Sequence, residues 1–146
     1  MTSAKTQERL FRVVVRRLHW LSRVPLAPEM FDAFLLAWTA VFHRQTLRAI
    51  ETLESEILRI PGIAPVTHRF GGLGFTSKGS EFAHVHGNGL LDVKMSRERA
   101  AALIAEGRAL PHHMFGPSAW ISFWIRTPDD SGRAGALIQE SLTLSR

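Results

Sequence analysis

Histidines are concentrated in one part of this chain, and imidazole suits both proton transfer and metal binding near neutral pH. Of the seven histidines in 146 residues, five fall in the middle and C-terminal parts: His68, His84, His86, His112 and His113. Side chains on a β-strand repeat every two residues, so His84 and His86 point to the same face. The spacing therefore predicts a polar site on the strand that carries this pair.

Two carboxylates accompany the pair. Asp92 lies on the next predicted strand, where its carboxylate can orient one imidazole across a hairpin. Glu81 has the opposite side-chain parity to His84, so it joins the site only if a β-bulge turns it inward. Both residues are candidates for the site.

Three interpretations of the histidines stay open at this point. In one, His84 and His86 bind a metal with His112 or His113 as third ligand, and such imidazoles suit zinc, iron, copper or nickel. In another, the histidines are metal-free acid–base groups in a small-molecule pocket. In the third, each imidazole is structural and satisfies a carbonyl or packs on an aromatic ring. We expect no cofactor, with the metal as the alternative.

Aromatic and basic residues near the histidines are candidates for a pocket wall. The strand predicted at Ala119–Arg126 carries Trp120, Phe123 and Trp124, and one of its faces is expected to line an apolar pocket. The run that follows His68 contains Gly-Gly but lacks the Lys-Ser/Thr ending of a phosphate loop. We assign five residues to the substrate pocket: His68, Arg69, Asp92, Trp120 and Trp124.

Apolar spacing predicts the elements that must position these groups. Helical periodicity indicates three N-terminal helices, at Glu8–Val24, Glu29–Phe42 and Arg44–Arg59. Glycine-punctuated runs then indicate three strands, at Val66–Phe70, at Gly74–Thr76 continuing into Glu81–His86, and at Leu90–Met95. A helix from Ser96 to Gly107, a loop through His112-His113, the strand at Ala119–Arg126 and a helix from Thr127 to Leu144 complete the chain.

This order of elements predicts an α+β fold. We expect a single domain over 1–146, with a helical part at 1–60 and a core at 65–146. The core is expected to be a small, mostly antiparallel sheet with helices packed on one face. The sequence does not indicate an oligomeric state.

Composition narrows the function classes. Hydrophobic residues make up 45% and charged residues 21%, which is typical of a globular domain, and the absence of cysteine excludes disulfides and thiolate chemistry. The net charge of +5 is dispersed, so we expect no nucleic-acid partner. The longest apolar run, Met30 to Phe42, contains Asp32 and is too short to span a bilayer. We therefore expect a soluble, cytoplasmic protein without a membrane span.

Several motifs together resemble a known family. The run Ser80-Glu81-Phe82-Ala83-His84-Val85-His86-Gly87 resembles the Glu-x-Ala-His-x-His signature of the fungal-luciferase-like domain family. The resemblance continues through Leu91-Asp92-Val93, the His112-His113 loop and the strand from Trp120 to Arg126. It covers about Pro65 to the C-terminus. The layout is also similar to that of the YjbR-like group of small bacterial proteins.

The resemblance implies a chemistry. The namesake of the family oxidises a hydroxylated pyrone without metal or flavin. A similar role here implies a small-molecule oxygenase-type enzyme that acts without flavin on an electron-rich substrate. Its catalytic candidates are Glu81, His84, His86, His112 and His113, with His84 or His86 as the base. The alternative is a non-catalytic module that binds a small molecule, a metal or a partner protein.

Overall fold

The computed structural model of the chain describes most of it, namely residues 6, 9–11, 13, 23–69, 71–114 and 117–144. Most of the amphipathic helix predicted at Glu8–Val24 lies outside the described residues, although 9–11 and 13 are helical. Two positions of the predicted loop, Phe115 and Gly116, also lie outside them.

Two of the three predicted N-terminal helices lie within the described residues. Helix α1 runs from Ala27 to Phe42 and has proline in its first turn, where the missing N–H is not needed. Helix α2 runs from Arg44 to Leu58 and buries one face that includes Leu53 and Ile57. The helices are separated at His43, whose backbone leaves the helical region (φ −138°, ψ 56°).

The rest of the chain is a six-stranded antiparallel sheet with two more helices, which confirms the predicted α+β class. The strands are β1 (Ile63–Thr67), β2 (Leu73–Ser77), β3 (Ser80–Val85), β4 (Leu90–Lys94), β5 (Leu110–Pro111) and β6 (Trp120–Trp124). They lie in the order β1-β2-β3-β4-β6-β5, and every pair is antiparallel. Helix α3 (Arg97–Ala105) connects β4 to β5, and helix α4 (Pro128–Leu144) ends the fold.

The strand boundaries differ from the prediction in three places. Strand β1 is Ile63–Thr67, whereas the prediction placed it at Val66–Phe70. The single strand predicted over Gly74–Thr76 and Glu81–His86 is wrong, because the chain reverses at Lys78-Gly79 to form the β2–β3 hairpin. Both turn residues have positive φ (52° and 79°), as the tightest hairpin turns require. The short strand β5 was not predicted, since two residues show no periodicity.

One face of the sheet carries the main apolar core. Inward side chains of the four central strands are buried against helices α2 and α4: Phe75, Ala83, Val85, Leu91, Val93 and Ile121. The opposite face therefore receives the alternate residues of the same strands. A second, smaller cluster joins Leu35 of α1 to Leu90 and Phe11.

Within the described ranges, no helix combines the length and the apolar character that crossing a membrane requires.

Candidate functional site

A row of polar side chains crosses the sheet on the face opposite the core. In the β3–β4 and β4–β6 registers, His84 lies opposite Asp92, and Asp92 lies opposite Ser122. Antiparallel partners that face each other share a face of the sheet, so these three side chains lie side by side. All three are buried. The sheet thus aligns a histidine, a carboxylate and a hydroxyl in one plane.

A β-bulge brings Glu81 to the same face. Phe75 pairs with Ala83, but Thr76 pairs with Glu81, so β3 contains one extra residue at this point. Glu81 Oε1 consequently lies 2.9 Å from His84 Nδ1 and 2.6 Å from His68 Nδ1. Glycine at position 74 leaves room for this carboxylate, because a Cβ there would lie 3.0 Å from Glu81 Oε2. Glu81 was expected to join the site only if a β-bulge turned it inward, and the structure contains that bulge.

The Asp92 carboxylate is the centre of the polar cluster. Its side chain is completely buried, and its Oδ1 accepts a hydrogen bond from Ser122 Oγ. Four imidazole nitrogens surround its Oδ2: His84 Nε2 at 3.0 Å, His113 Nδ1 at 3.3 Å, His86 Nε2 at 3.6 Å and His112 Nε2 at 3.7 Å. The strand pair and the β5–β6 loop thus meet at one oxygen atom.

Helix α1 contributes a carboxylate to the site. Asp32 Oδ1 accepts a hydrogen bond of 2.8 Å from the Gly87 N–H and lies 3.5 Å from His86 Nδ1. A Cβ at Gly87 would lie 2.6 Å from the Leu36 backbone nitrogen, so only glycine permits this close approach of helix and turn. Helix α1 therefore places the Asp32 carboxylate next to the Nδ1 side of the His86 ring.

The imidazoles line one cavity, which we call the histidine cavity. It has a volume of about 160 Å³ and is walled by Trp120, Met114 and the five histidines His68, His84, His86, His112 and His113. The His68 and His84 rings are stacked, with centroids 3.5 Å apart. Phe11 is buried beside it, with its ring centroid 5.5 Å from that of His86 and 5.3 Å from that of His113.

The environment sets which groups carry charge. Burial lowers the pKa of His86, but Asp32 and Asp92 outweigh this cost and raise it to about 9. Burial raises the pKa of Asp92, yet the imidazoles of His113, His84 and His86 hold it well below its usual range. Burial lowers the pKa of His68 and of His112 to about 4. The cavity thus combines the neutral imidazoles of His68 and His112 with a protonated His86 and a buried anion at Asp92.

The structure brings most of the predicted site residues together, but three aromatic or basic ones lie elsewhere. Trp124 packs beside Phe11, with the Arg126 guanidinium 3.9 Å over its ring, and does not line the histidine cavity. Arg69 is exposed and also lies outside the lining. Phe123 faces the main core, so the wall is Trp120 without Phe123.

Three residues of the cluster were missed from the sequence. Asp32 was the informative one, because a single carboxylate inside the apolar run Met30–Phe42 needs a polar partner when the helix is buried. Ser122 lies between Trp120 and Trp124 with the same strand parity, which places a hydroxyl on the cavity face. Phe11 showed no signal beyond its apolar character.

Part of the chain matches the model of a known protein family. Residues 79–141 match the family model described as "Luciferase domain". This part of the chain is similar to the luciferase domain family. The matched segment, which we call the luciferase domain, runs from the start of β3 into α4 and contains Asp92, Trp120 and four histidines of the cavity. His68, Asp32 and Phe11 lie outside it. Searches of curated proteins and of solved structures gave no significant match.

Proposed function

We propose that the chain is a small-molecule enzyme of the oxygenase type, which acts without flavin on an electron-rich substrate in the histidine cavity. The observation that carries the proposal is the convergence of five imidazoles on one cavity above the buried Asp92. The luciferase domain supplies four of these imidazoles. Clustered ionisable groups in a concave site are typical of active sites.

The size of the cavity limits the substrate. Its volume of about 160 Å³ is close to the ~150 Å³ of a protein cavity that holds one benzene molecule. The Trp120 ring, with its centroid 5.5 Å from that of His84, offers a flat apolar wall. We therefore expect the reacting part of the substrate to be a single ring with an acidic hydroxyl, such as a phenol or a hydroxypyrone.

Oxidation of such a ring starts with loss of its hydroxyl proton, because the resulting anion can give an electron to dioxygen directly. His68 is the base that the geometry favours over His84 and His86. It is neutral near pH 7, and its Nδ1 lies 2.6 Å from Glu81, whose carboxylate stabilises the imidazolium formed on proton uptake. His112, in the β5–β6 loop, lines the same cavity, and we assign its imidazole N–H as the donor to the substrate oxyanion.

The test is oxygen uptake by the purified chain with a panel of single-ring polyphenols and hydroxypyrones. Binding of each compound is followed in parallel by thermal shift. We expect uptake with at least one compound and a loss of about 10²-fold or more in His68→Gln and in His84→Ala. Circular dichroism of both variants should match the wild type. His43→Ala, which removes a histidine from the α1–α2 junction, is the matched control and should keep full activity.

Two outcomes would change the conclusion. A compound that raises the melting temperature without oxygen uptake would make the chain a non-catalytic small-molecule binding module. Unchanged uptake in His84→Ala would move the chemistry out of the histidine cavity.

A further inference from the structure

In the part of the chain that the structure describes, four buried polar atoms around Asp92 lack a regular hydrogen bond. His84 Nε2, His86 Nε2, His113 Nδ1 and Asp92 Oδ2 are all buried, and none of the four makes a hydrogen bond of acceptable distance and angle within the described residues. Buried polar atoms without such a bond are rare and need an explanation. Here all four point at the same place.

The second nitrogen of each ring decides where its lone pair lies. His84 Nδ1 is hydrogen-bonded to Glu81 Oε1 at 2.9 Å, and His86 Nδ1 faces Asp32 Oδ1 at 3.5 Å. The Nε2 atoms of both rings face Asp92, so each ring can give its Nε2 lone pair to an ion at Asp92 when the ion displaces the proton there. Carboxylate–histidine pairs of this kind orient imidazole ligands in metal sites.

His112 has the opposite arrangement. Its Nδ1 accepts a hydrogen bond of 3.3 Å from the Met114 backbone N–H, so the neutral ring must carry its proton on Nε2. That Nε2–H faces Asp92 Oδ2 at 3.7 Å and has no lone pair to offer a cation. His112 is therefore a donor to the cluster, whereas His84 and His86 have ligand geometry.

The distances between the groups fit a cation that lies between them. Bonds of 2.0–2.1 Å in a tetrahedral site place neighbouring ligand atoms roughly 3.3 Å apart. Asp92 Oδ2 lies 3.0 Å from His84 Nε2 and 3.6 Å from His86 Nε2, and the ligand atoms of these three residues all lie within 4.8 Å of one another. Ser122 Oγ donates to the other oxygen of Asp92, which fixes the carboxylate as a second-layer partner does in metal sites.

From these contacts we propose that His84, His86 and Asp92 bind one divalent transition-metal ion, with His112 outside the ligand set. Two imidazoles and one carboxylate suit zinc, cobalt, nickel or ferrous iron and leave coordination positions open. Both histidine ligands line the histidine cavity, so a further ligand can reach the ion from that side. The ion shares its cavity with the proposed function, but metal binding stands whether or not the chain is an oxygenase.

The test uses the full chain, stripped with a chelator and titrated with Co²⁺ and with Zn²⁺. Bound Co²⁺ in a four- or five-coordinate site gives strong visible absorption, which reports the coordination directly and does not depend on catalysis. We expect one ion per chain, and we expect Asp92→Asn and His86→Gln each to weaken binding by more than about 100-fold. His112→Gln is the matched control, because it removes the adjacent imidazole and should keep one ion per chain.

A second-layer variant sharpens the assignment. Asp32→Asn should weaken Co²⁺ binding about 10-fold and leave one ion per chain, since Asp32 orients His86 without touching the ion. Absence of Co²⁺ or Zn²⁺ binding by the wild type would overturn the proposal and would mean that protons alone neutralise Asp92. Binding that is lost in His112→Gln but kept in His86→Gln would overturn the ligand assignment. The wild-type titration decides even if a variant fails to fold.

The two proposals fail separately. Metal binding without oxygen uptake by any compound would refute the oxygenase and support the metal site. Oxygen uptake that persists in the chelator-treated, metal-free chain, together with no Co²⁺ binding, would support the oxygenase and refute the metal site.

Discussion

Strand β3 carries two kinds of buried side chain on its two faces. Ala83 and Val85 pack into the apolar core, whereas His84 and His86 lie in the polar cluster, and all four are less than 4% exposed. Burial of apolar surface stabilises a fold by about 25 cal/mol per Å². Burial of ionisable groups costs free energy unless each is paired. Equal burial therefore has opposite consequences on the two faces.

The difference indicates what each face is for. The core face explains why the sheet folds, since helices α2 and α4 cover it with apolar side chains. The polar face contains three carboxylates, Asp32, Glu81 and Asp92, facing a group of imidazoles. Apolar residues of the same volume would hold such a face together at least as well. The stability of the fold alone therefore does not account for these groups.

The largest expected effect separates the two faces at adjacent residues of β6. Ile121 is completely buried in the core, so Ile121→Ala should lower the free energy of unfolding by about 2–5 kcal/mol. Ser122→Ala removes only the hydroxyl that donates to Asp92 and should cost about 1–2 kcal/mol. Urea unfolding followed by tryptophan fluorescence measures both. Equal losses would show that the polar face contributes to stability as much as the core does.

A second pair of variants probes how helix α1 is held on the polar face. Gly87→Ala places a methyl group against the α1 backbone, 2.7 Å from the Asp32 carbonyl oxygen, and should destabilise by about 1–3 kcal/mol. Gly135→Ala meets no atom within 4 Å inside helix α4, so it should stabilise by about 0.5–1 kcal/mol. Thermal unfolding compares the two. A neutral Gly87→Ala would mean that α1 adjusts freely.

The smallest effect is expected at Glu54, a partly buried residue of helix α2. Burial, then the charges of Glu51 and Asp32, raise the pKa of Glu54 to about 7. The folded state thus binds this proton more tightly than the unfolded state, so stability falls as pH rises from about 4.5 to 7. Glu54→Gln should remove that fall.

The partial exposure of Glu54 reduces the magnitude. We expect Glu54→Gln to exceed the wild type in stability by about 1 kcal/mol at pH 8 and to equal it near pH 4. Urea unfolding at the two pH values measures the difference. Glu56→Gln, an exposed change on the same helix whose charge is not among those that raise the pKa of Glu54, controls for the change in net charge. A gain of the same size at both pH values would contradict the assigned titration.

Much of this architecture follows from local rules in the sequence. The two-residue period of a strand places His84 and His86 on one face and the alternate apolar residues on the other. The apolar spacing of α1 and α2 and the Gly87-Asn88-Gly89 turn are likewise local signals, and the structure confirms them. Such features are determined by backbone geometry within a few residues, so they can be predicted from the sequence without knowledge of tertiary contacts.

Only the tertiary structure decided how the groups pair. Asp32 reaches His86 across 54 positions of the chain, and Ser122 reaches Asp92 across 30, because helix docking and strand order bring them together. The bulge that turns Glu81 inward depends on the β2–β3 register. The position of the proton on the His112 ring depends on one backbone hydrogen bond, from the Met114 N–H to His112 Nδ1. Residue types and periodicity thus select the candidates, while long-range packing determines their partners, their proton positions and hence their chemistry.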